Sequence, residues 1–292
     1  MANLLDIRRR IKSVKNTQQV TKAMKMVSAA KLRRAQDRVL NARPFAEKMR
    51  QMLHDLASQT TEDFHHPLLD ARGDHRYRVF IVTADKGLCG AFNANLIKAT
   101  QAFLKEHADK EIELVTIGRK GRDFFRRIRP LADEAVGLLG KGTVSYDEAV
   151  TVARDRLIER FTTDEGLDKV FVIFAEFKSM LTQRVVIEQL LPIAQESEHD
   201  KEEPHAPARD YIFEQPRAEI FGRLLPRLIE MQIYRIFLES IASEHAARMT
   251  AMDSASKNAG ELISTLTLNM NRVRQAAITR EIIEIVSGAA AL

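Results

Sequence analysis

Three glycine-bearing stretches are the places where residue types and spacing suggest chemistry. Asp85-Lys86-Gly87-Leu88-Cys89-Gly90 follows an apolar run and opens a helical pattern. Backbone amides in that context can cradle phosphate. Gly118-Arg119-Lys120-Gly121 and the run from Gly137 through Gly140 and Gly142 to Thr143 have a similar character. None of the three completes G-x-G-x-x-G or G-x-x-x-x-G-K-[ST]. A tight strand-to-helix turn accounts for the first without a ligand. The 8 His are scattered, with His65, His66 and His205 in polar stretches and no metal-ligand spacing. Cys89, beside glycines, has no nearby His to activate it. No catalytic residue, cofactor site or metal site is expected.

The elements around these turns switch period along the chain. Tyr77 to Thr83 is a short β-rich run, and Asn93 to Glu106 is helical. Glu111 to Ile117 is a second apolar run, followed by a basic amphipathic stretch from Arg119 to Ile128. Tyr146 to Phe161 is helical, Lys169 to Phe177 is a strand, and Gln183 to Ile193 is its antiparallel neighbour. Strands alternating with helices predict a Rossmann-like α/β layer with a largely parallel sheet.

Two helical patterns flank this layer. One runs from about Ala2 to Leu56 with no Gly and a single Pro, Pro44. The other runs from about Arg227 to Ser287 with Gly260 and no Pro. The second would span roughly 90 Å at 1.5 Å per residue. A compact domain of this length is only about 50 Å across, so the two ends are expected to leave the body as a rod. In the first pattern Leu4, Ile7, Ile11 and Val14 begin a stripe that Val20, Met24, Val27, Leu32, Ala35, Val39 and Ala42 continue. In the second, a seam runs through Ala242, His245, Met249, Met252, Ser256, Ala259, Ile263, Leu266, Met270, Val273 and Ala277. Five heptads argue for a coiled coil, and its small, polar residues for modest stability. His245 is expected to pack in the seam. The simplest pairing of the two patterns is with each other, antiparallel.

The expected organisation is an N-terminal coiled-coil helix over 1–58, an α/β domain over 76–195, an acidic linker over 196–210 and a C-terminal coiled-coil helix over 211–292. Pro226 falls in the first turns of that last helix and marks a kink or its true start.

The 292 residues carry 29% charged and 6% aromatic side chains and no Trp, a mix suited to long helices. A single cysteine excludes an internal disulfide. The opening residues are charged too early for a secretory signal, and the apolar runs Val79 to Val82 and Val170 to Ala175 are too short to cross a bilayer. Residues 1–50 hold 14 Lys and Arg against Asp6, Asp37 and Glu47, a balance of +11 that leaves −6 elsewhere. The bland reading is a solvated face; the sharper one is an acidic partner along this helix. At the other end Ile278, Ile282, Ile283, Ile285, Val286 and the closing Ala289 to Leu292 put apolar groups on nearly every face. A helix apolar all round is normally buried all round, so the tip is expected to enter an apolar socket on another molecule.

Several segments resemble one family. Ile278-Thr279-Arg280-Glu281-Ile282-Ile283-Glu284-Ile285-Val286-Ser287-Gly288-Ala289-Ala290 is similar to the C-terminal signature of the gamma subunits of F-type ATP synthases. Asn16 to Gln18 with Thr21 to Ala29 resembles their N-terminal helix, Lys86 to Asn93 their α/β turn, and Ser243 to Met249 their C-terminal helix. The matches span the chain in the family's order. The bacterial form is implied, without the chloroplast two-cysteine insertion.

The resemblance implies a central rotor shaft of a proton-translocating F-type ATP synthase, with no catalytic site of its own. The coiled coil would sit within a ring of alpha and beta subunits, and the α/β domain on the membrane c-ring beside epsilon. The shaft would then couple ring rotation to conformational cycling of the beta sites. Lys22, Lys25 and Lys31, with Met24 between them, would face acidic beta loops. Arg274 and Gln275 match a pair that bonds a beta loop, with Thr279 and Glu281 on the next turn. Tyr211, Phe213 and Glu214 match the segment meeting the c-ring loops. The implied location is the cytoplasmic face of the bacterial inner membrane, peripheral and without direct insertion. No nucleic acid is expected. The rival readings are a dinucleotide-binding α/β enzyme with helical arms and a basic coiled-coil scaffold.

Overall fold

The computed structural model describes residues 4–58, 65–193 and 217–290. In chain order the elements are α1 (Leu4–Ser58), β1 (Arg76–Val82), α2 (Phe92–Glu106), β2 (Glu111–Ile117), α3 (Arg119–Phe125), β3 (Asp133–Ala135), α4 (Tyr146–Val152), a π-helical turn (Ala153–Ile158), α5 (Glu159–Thr163), β4 (Lys169–Phe177), β5 (Gln183–Leu191) and α6 (Arg217–Ala290). Two units emerge: Met1–Ala29 with Arg248–Leu292, and Ala30–Ala247.

In the larger unit five strands lie in the order β3-β2-β1-β4-β5. All pairings are parallel except β4 with β5. β1 is central because Val79, Phe80, Ile81 and Val82 leave no polar face to turn to water, and all four are fully buried. The β4–β5 connection is too short for a crossover, so the pair must be antiparallel. The Ser179 amide donates to the Thr182 carbonyl at 3.1 Å within that turn. α2 packs one face, Phe92, Leu96, Thr100 and Phe103, into the core, where Phe103 meets Phe171 at 5.1 Å between centroids. β3 was not expected. Its Asp-Glu-Ala carries no strand signal, and only its register with Val115 to Ile117 makes it one.

The expected helix from Tyr146 to Phe161 is present but widened by the π turn. It opens on a capping box. The Ser145 hydroxyl accepts from the Glu148 amide at 3.2 Å, and Glu148 accepts from the Ser145 amide at 2.9 Å. Glu230 of α6 is buried and accepts from Arg154 Nε at 2.5 Å and from the Tyr146 hydroxyl at 3.2 Å. Glu113 on β2 takes ion pairs from Arg76 and Arg78 of β1, while Arg76 also reaches Asp164 at 3.0 Å.

Of the two alternatives expected at Pro226, α6 corrects one: the helix begins at Arg217 and passes through the proline, so Pro226 is not its start. A proline ring presses on the carbonyl four residues back, which here belongs to Gly222, a residue whose backbone yields most readily. Leu225, Leu228 and Ile229 are buried on either side, so side-chain packing outweighs the missing amide.

The smaller unit pairs the start of α1 with the end of α6, antiparallel: Gln18 reaches Ser256 and Lys25 reaches Asp253. On α6 every seam residue expected from Met249 to Ala277 is buried or half-buried. On α1 the apolar stripe drifted off the true seam. Val20 and Val27 are 58% and 56% exposed, whereas Thr21 and Ser28 are 8% and 3% exposed. A strict four-three alternation through Ile7, Ile11, Val14, Gln18, Thr21, Lys25 and Ser28 describes the observed burial.

Candidate partner-binding surface

The three glycine turns do converge. They meet at the carboxyl ends of β1 and β2, where α/β sheets ordinarily bind ligands. The seat is filled by the chain itself. Asp85 Oδ1 accepts from the Arg119 amide at 2.9 Å and from the Gly137 amide at 3.2 Å. Thr83 Oγ1 accepts from the Gly121 amide at 2.9 Å. Amides that could cradle a phosphate are already bonded to a carboxylate and a hydroxyl. Gly118 has φ +100°, and a Cβ there would lie 2.0 Å from the Thr83 carbonyl oxygen. A Cβ on Gly140 would lie 2.6 Å from Asp85 Oδ2. These two glycines permit close backbone approach to Thr83 and Asp85. Cys89 is buried, with Asn93 Nδ2 at 3.1 Å from its sulfur.

Chemistry aimed at partners lies on the helices instead. Arg8, Arg9, Arg10, Lys12 and Lys15 are exposed and carry no ion pair among the described residues. Lys22 is exposed in the same way, and Met24 is half-buried. Lys25 is tied inside the chain, its Nζ 2.6 Å from Asp253 Oδ1, and Lys257 holds the other carboxylate oxygen at 3.0 Å. Hydrogen bonds from Lys25 and then Lys257 lower the Asp253 pKa. Lys31 is half-buried; a Cβ on Gly142 would lie 3.1 Å from both Lys31 Nζ and His245 Nε2. His245 is thus packed under a turn, in keeping with its seam position.

Arg274, Gln275, Thr279 and Glu281 are all exposed. The antiparallel register sets Thr21 opposite Ser256, so Leu4 falls opposite about Val273. The described part of α1 therefore ends before these four residues are covered. Beyond them Ile278, Ile282, Ile283, Ile285 and Val286 are 47–72% exposed. Tyr211, Phe213 and Glu214 lie outside the described residues, as does the acidic stretch 196–210. The sequence reading missed Gln18, Thr21 and Ser28 as seam residues. Continuing the heptad through polar positions would have found them.

The chain thus presents exposed isoleucines at the end of α6 and, on the first turns of α1, basic side chains with no ion pair among the described residues. Its class follows from the family model for ATP synthase, which matches residues 3–292. A chain from Solibacter usitatus named ATP synthase gamma chain is 52% identical over 100% of this chain and 99% of its own length. One of the same name from Geotalea uraniireducens is 48% identical over 99% and 98%. The chain belongs to the ATP synthase gamma chain family. Among solved structures, the central stalk and c-ring of the Tetrahymena thermophila mitochondrial ATP synthase includes a chain 26% identical, with a TM-score of 0.60 over 81% of this chain and 99% of that one. A Euglena gracilis ATP synthase chain shares the fold, with a TM-score of 0.67 at 20% identity over 99% and 94%.

Proposed function

We propose that the chain is the central rotor shaft of a bacterial ATP synthase, a non-catalytic subunit that couples rotation of the c-ring to conformational cycling of the beta catalytic sites. The observation that carries this reading is the apolar tip of α6, exposed on every side beyond the described part of α1. An apolar shaft end in an apolar sleeve makes no directional hydrogen bonds, so turning breaks no specific set. The exposed basic turns of α1, with Lys22 foremost, face acidic loops of the catalytic head. Lys25 and Lys31 contribute there from partly covered positions, with Met24 between them. Arg274 and Gln275, then Thr279 and Glu281, meet a beta loop higher on the shaft. The α/β domain over 76–195 is the foot on the c-ring beside epsilon, with Tyr211, Phe213 and Glu214 meeting the ring's polar loops. No described helix is long and apolar enough to cross a membrane. The subunit is peripheral on the cytoplasmic face of the inner membrane, held there by the ring.

Deleting Ile278 to Leu292 tests the reading. The truncated shaft should dissociate from the alpha–beta ring more readily, and coupled ATP synthesis should fall. Normal assembly and normal synthesis would remove the socket. Arg274→Glu should impair coupled turnover while leaving the circular dichroism of the subunit unchanged; an equal loss of both would make Arg274 a structural residue.

A further inference from the structure

We infer that Gln18, Thr21 and Ser256 are positioning residues that fix the axial register of α1 against α6. Thr21 Oγ1 donates to the Gln18 carbonyl at 3.0 Å. Thr21 Oγ1 and Ser256 Oγ share a hydrogen bond at 2.7 Å in which either hydroxyl can donate. Gln18 Nε2 donates to the Ser256 carbonyl at 3.1 Å. Two bonds cross the seam and one closes the turn between them, so a single turn of α1 is clasped to a single residue of α6. Thr21 and Ser256 are both buried.

Neighbouring residues keep the same offset. Lys25 meets Asp253 one turn along. One turn the other way, a Cβ on Gly260 would come 3.1 Å from Gln18 Nε2, so the amide would have to give by a few tenths of an ångström.

The clasp matters because the rest of the seam is permissive. Met249, Met252, Ala259 and Ile263 are apolar and seven-residue periodic. Sliding the helices by one heptad still sets apolar against apolar. It would carry Thr21 to Met249 or Ile263 and leave buried hydroxyls without partners. Directional polar contacts in a hydrophobic seam are what distinguish one register from its neighbours. Under the shaft reading, register decides which basic and apolar side chains of the two helices share a sector of the rod. The inference about register is a property of the chain and stands apart from that consequence.

The test is a distance measurement between spin labels at Gln19→Cys and Asn258→Cys, two exposed positions. It uses the full-length chain assembled with otherwise cysteine-free partners. The native pair should give one narrow distance. Thr21→Val with Ser256→Ala should add a second population, displaced along the axis by one heptad, about 10.5 Å. Thr21→Ser, which keeps the hydroxyl, should restore the single native distance. An unchanged narrow distance in the double variant would overturn the inference, as would slippage of Thr21→Ser to the same extent. If the double variant does not assemble, Ser256→Ala alone is read by the same criteria. The distance needs no ATP turnover, so its failure is separable from failure of the rotor reading.

Discussion

The two units are held together by different physics. The sheet unit buries large apolar side chains completely: Phe80, Phe161, Phe174 and Phe237 are each at most 1% exposed. The helical unit buries Ile7, Ile11 and Met252, and beside them Thr21, Ser28, Ser256 and Ala259. Apolar burial is strong and non-directional, so it makes a rigid body without choosing among similar arrangements. Hydroxyl and amide contacts add little net stability but are costly to misalign. The comparison teaches that the sheet unit rests on dense apolar burial, whereas the helix pair places directional polar contacts in a thinner apolar seam.

The sheet unit should therefore be the fragile one under mutation. Gly118→Ala places a Cβ against the Thr83 carbonyl at a φ that L-residues avoid. It should destabilise by more than about 4 kcal/mol, the scale of exceptional single-site losses, visible as loss of soluble chain and of cooperative thermal unfolding. Phe174→Ala should cost about 3–5 kcal/mol through the cavity it leaves, measured from the urea midpoint. Glu113→Ala should cost about 3 kcal/mol, because Arg78 is left buried without its carboxylate. Glu113 sits low in pKa although burial alone would raise it; the nearby Arg78 and Arg76 outweigh that burial.

The helix pair should respond weakly in the chain and strongly in the assembly. Asp253 holds its proton less tightly folded than unfolded, since Lys25 and Lys257 bond its charged form. Its contribution is present above the ordinary value of 3.8 and is lost as pH falls through the lower folded value. Amide protection around Asp253, taken relative to the intrinsic exchange rate, should fall below that ordinary pKa, and Asp253→Asn should abolish this acid step. An acid step that persisted would point to another carboxylate. Ile285→Ser should change chain stability by no more than about 0.5 kcal/mol, as for an exposed position, while weakening retention in the alpha–beta ring. A larger loss in the isolated chain would mean that the tip is packed within it, and the contrast between the units would narrow.

Legibility differed in the same way. β1 and β4 were readable because both faces are apolar, and α2 because its core positions repeat at helical spacing. β3 was not, since three polar residues become a strand only by pairing with β2. The α6 seam was legible position by position, because apolar residues occupy most of it. The α1 stripe slipped at Val20, because a search for apolar residues passes over Thr21 and Ser28 when those are the ones facing inward. Pro226 argued for a helix boundary on local grounds, and packing of Leu225, Leu228 and Ile229 decided otherwise.

The sequence by itself determined the periods: two long helices, an α/β layer between them, an excess of positive charge at one end and an apolar tip at the other. These are local or additive properties, and no fold is needed to sum them. Only the tertiary structure decided that Asp85 accepts from the amides of Arg119 and Gly137, that Lys25 is balanced by Asp253, and that Thr21 meets Ser256. Each joins residues far apart in the chain. Spacing along a sequence carries no record of which distant groups arrive within 3 Å of one another.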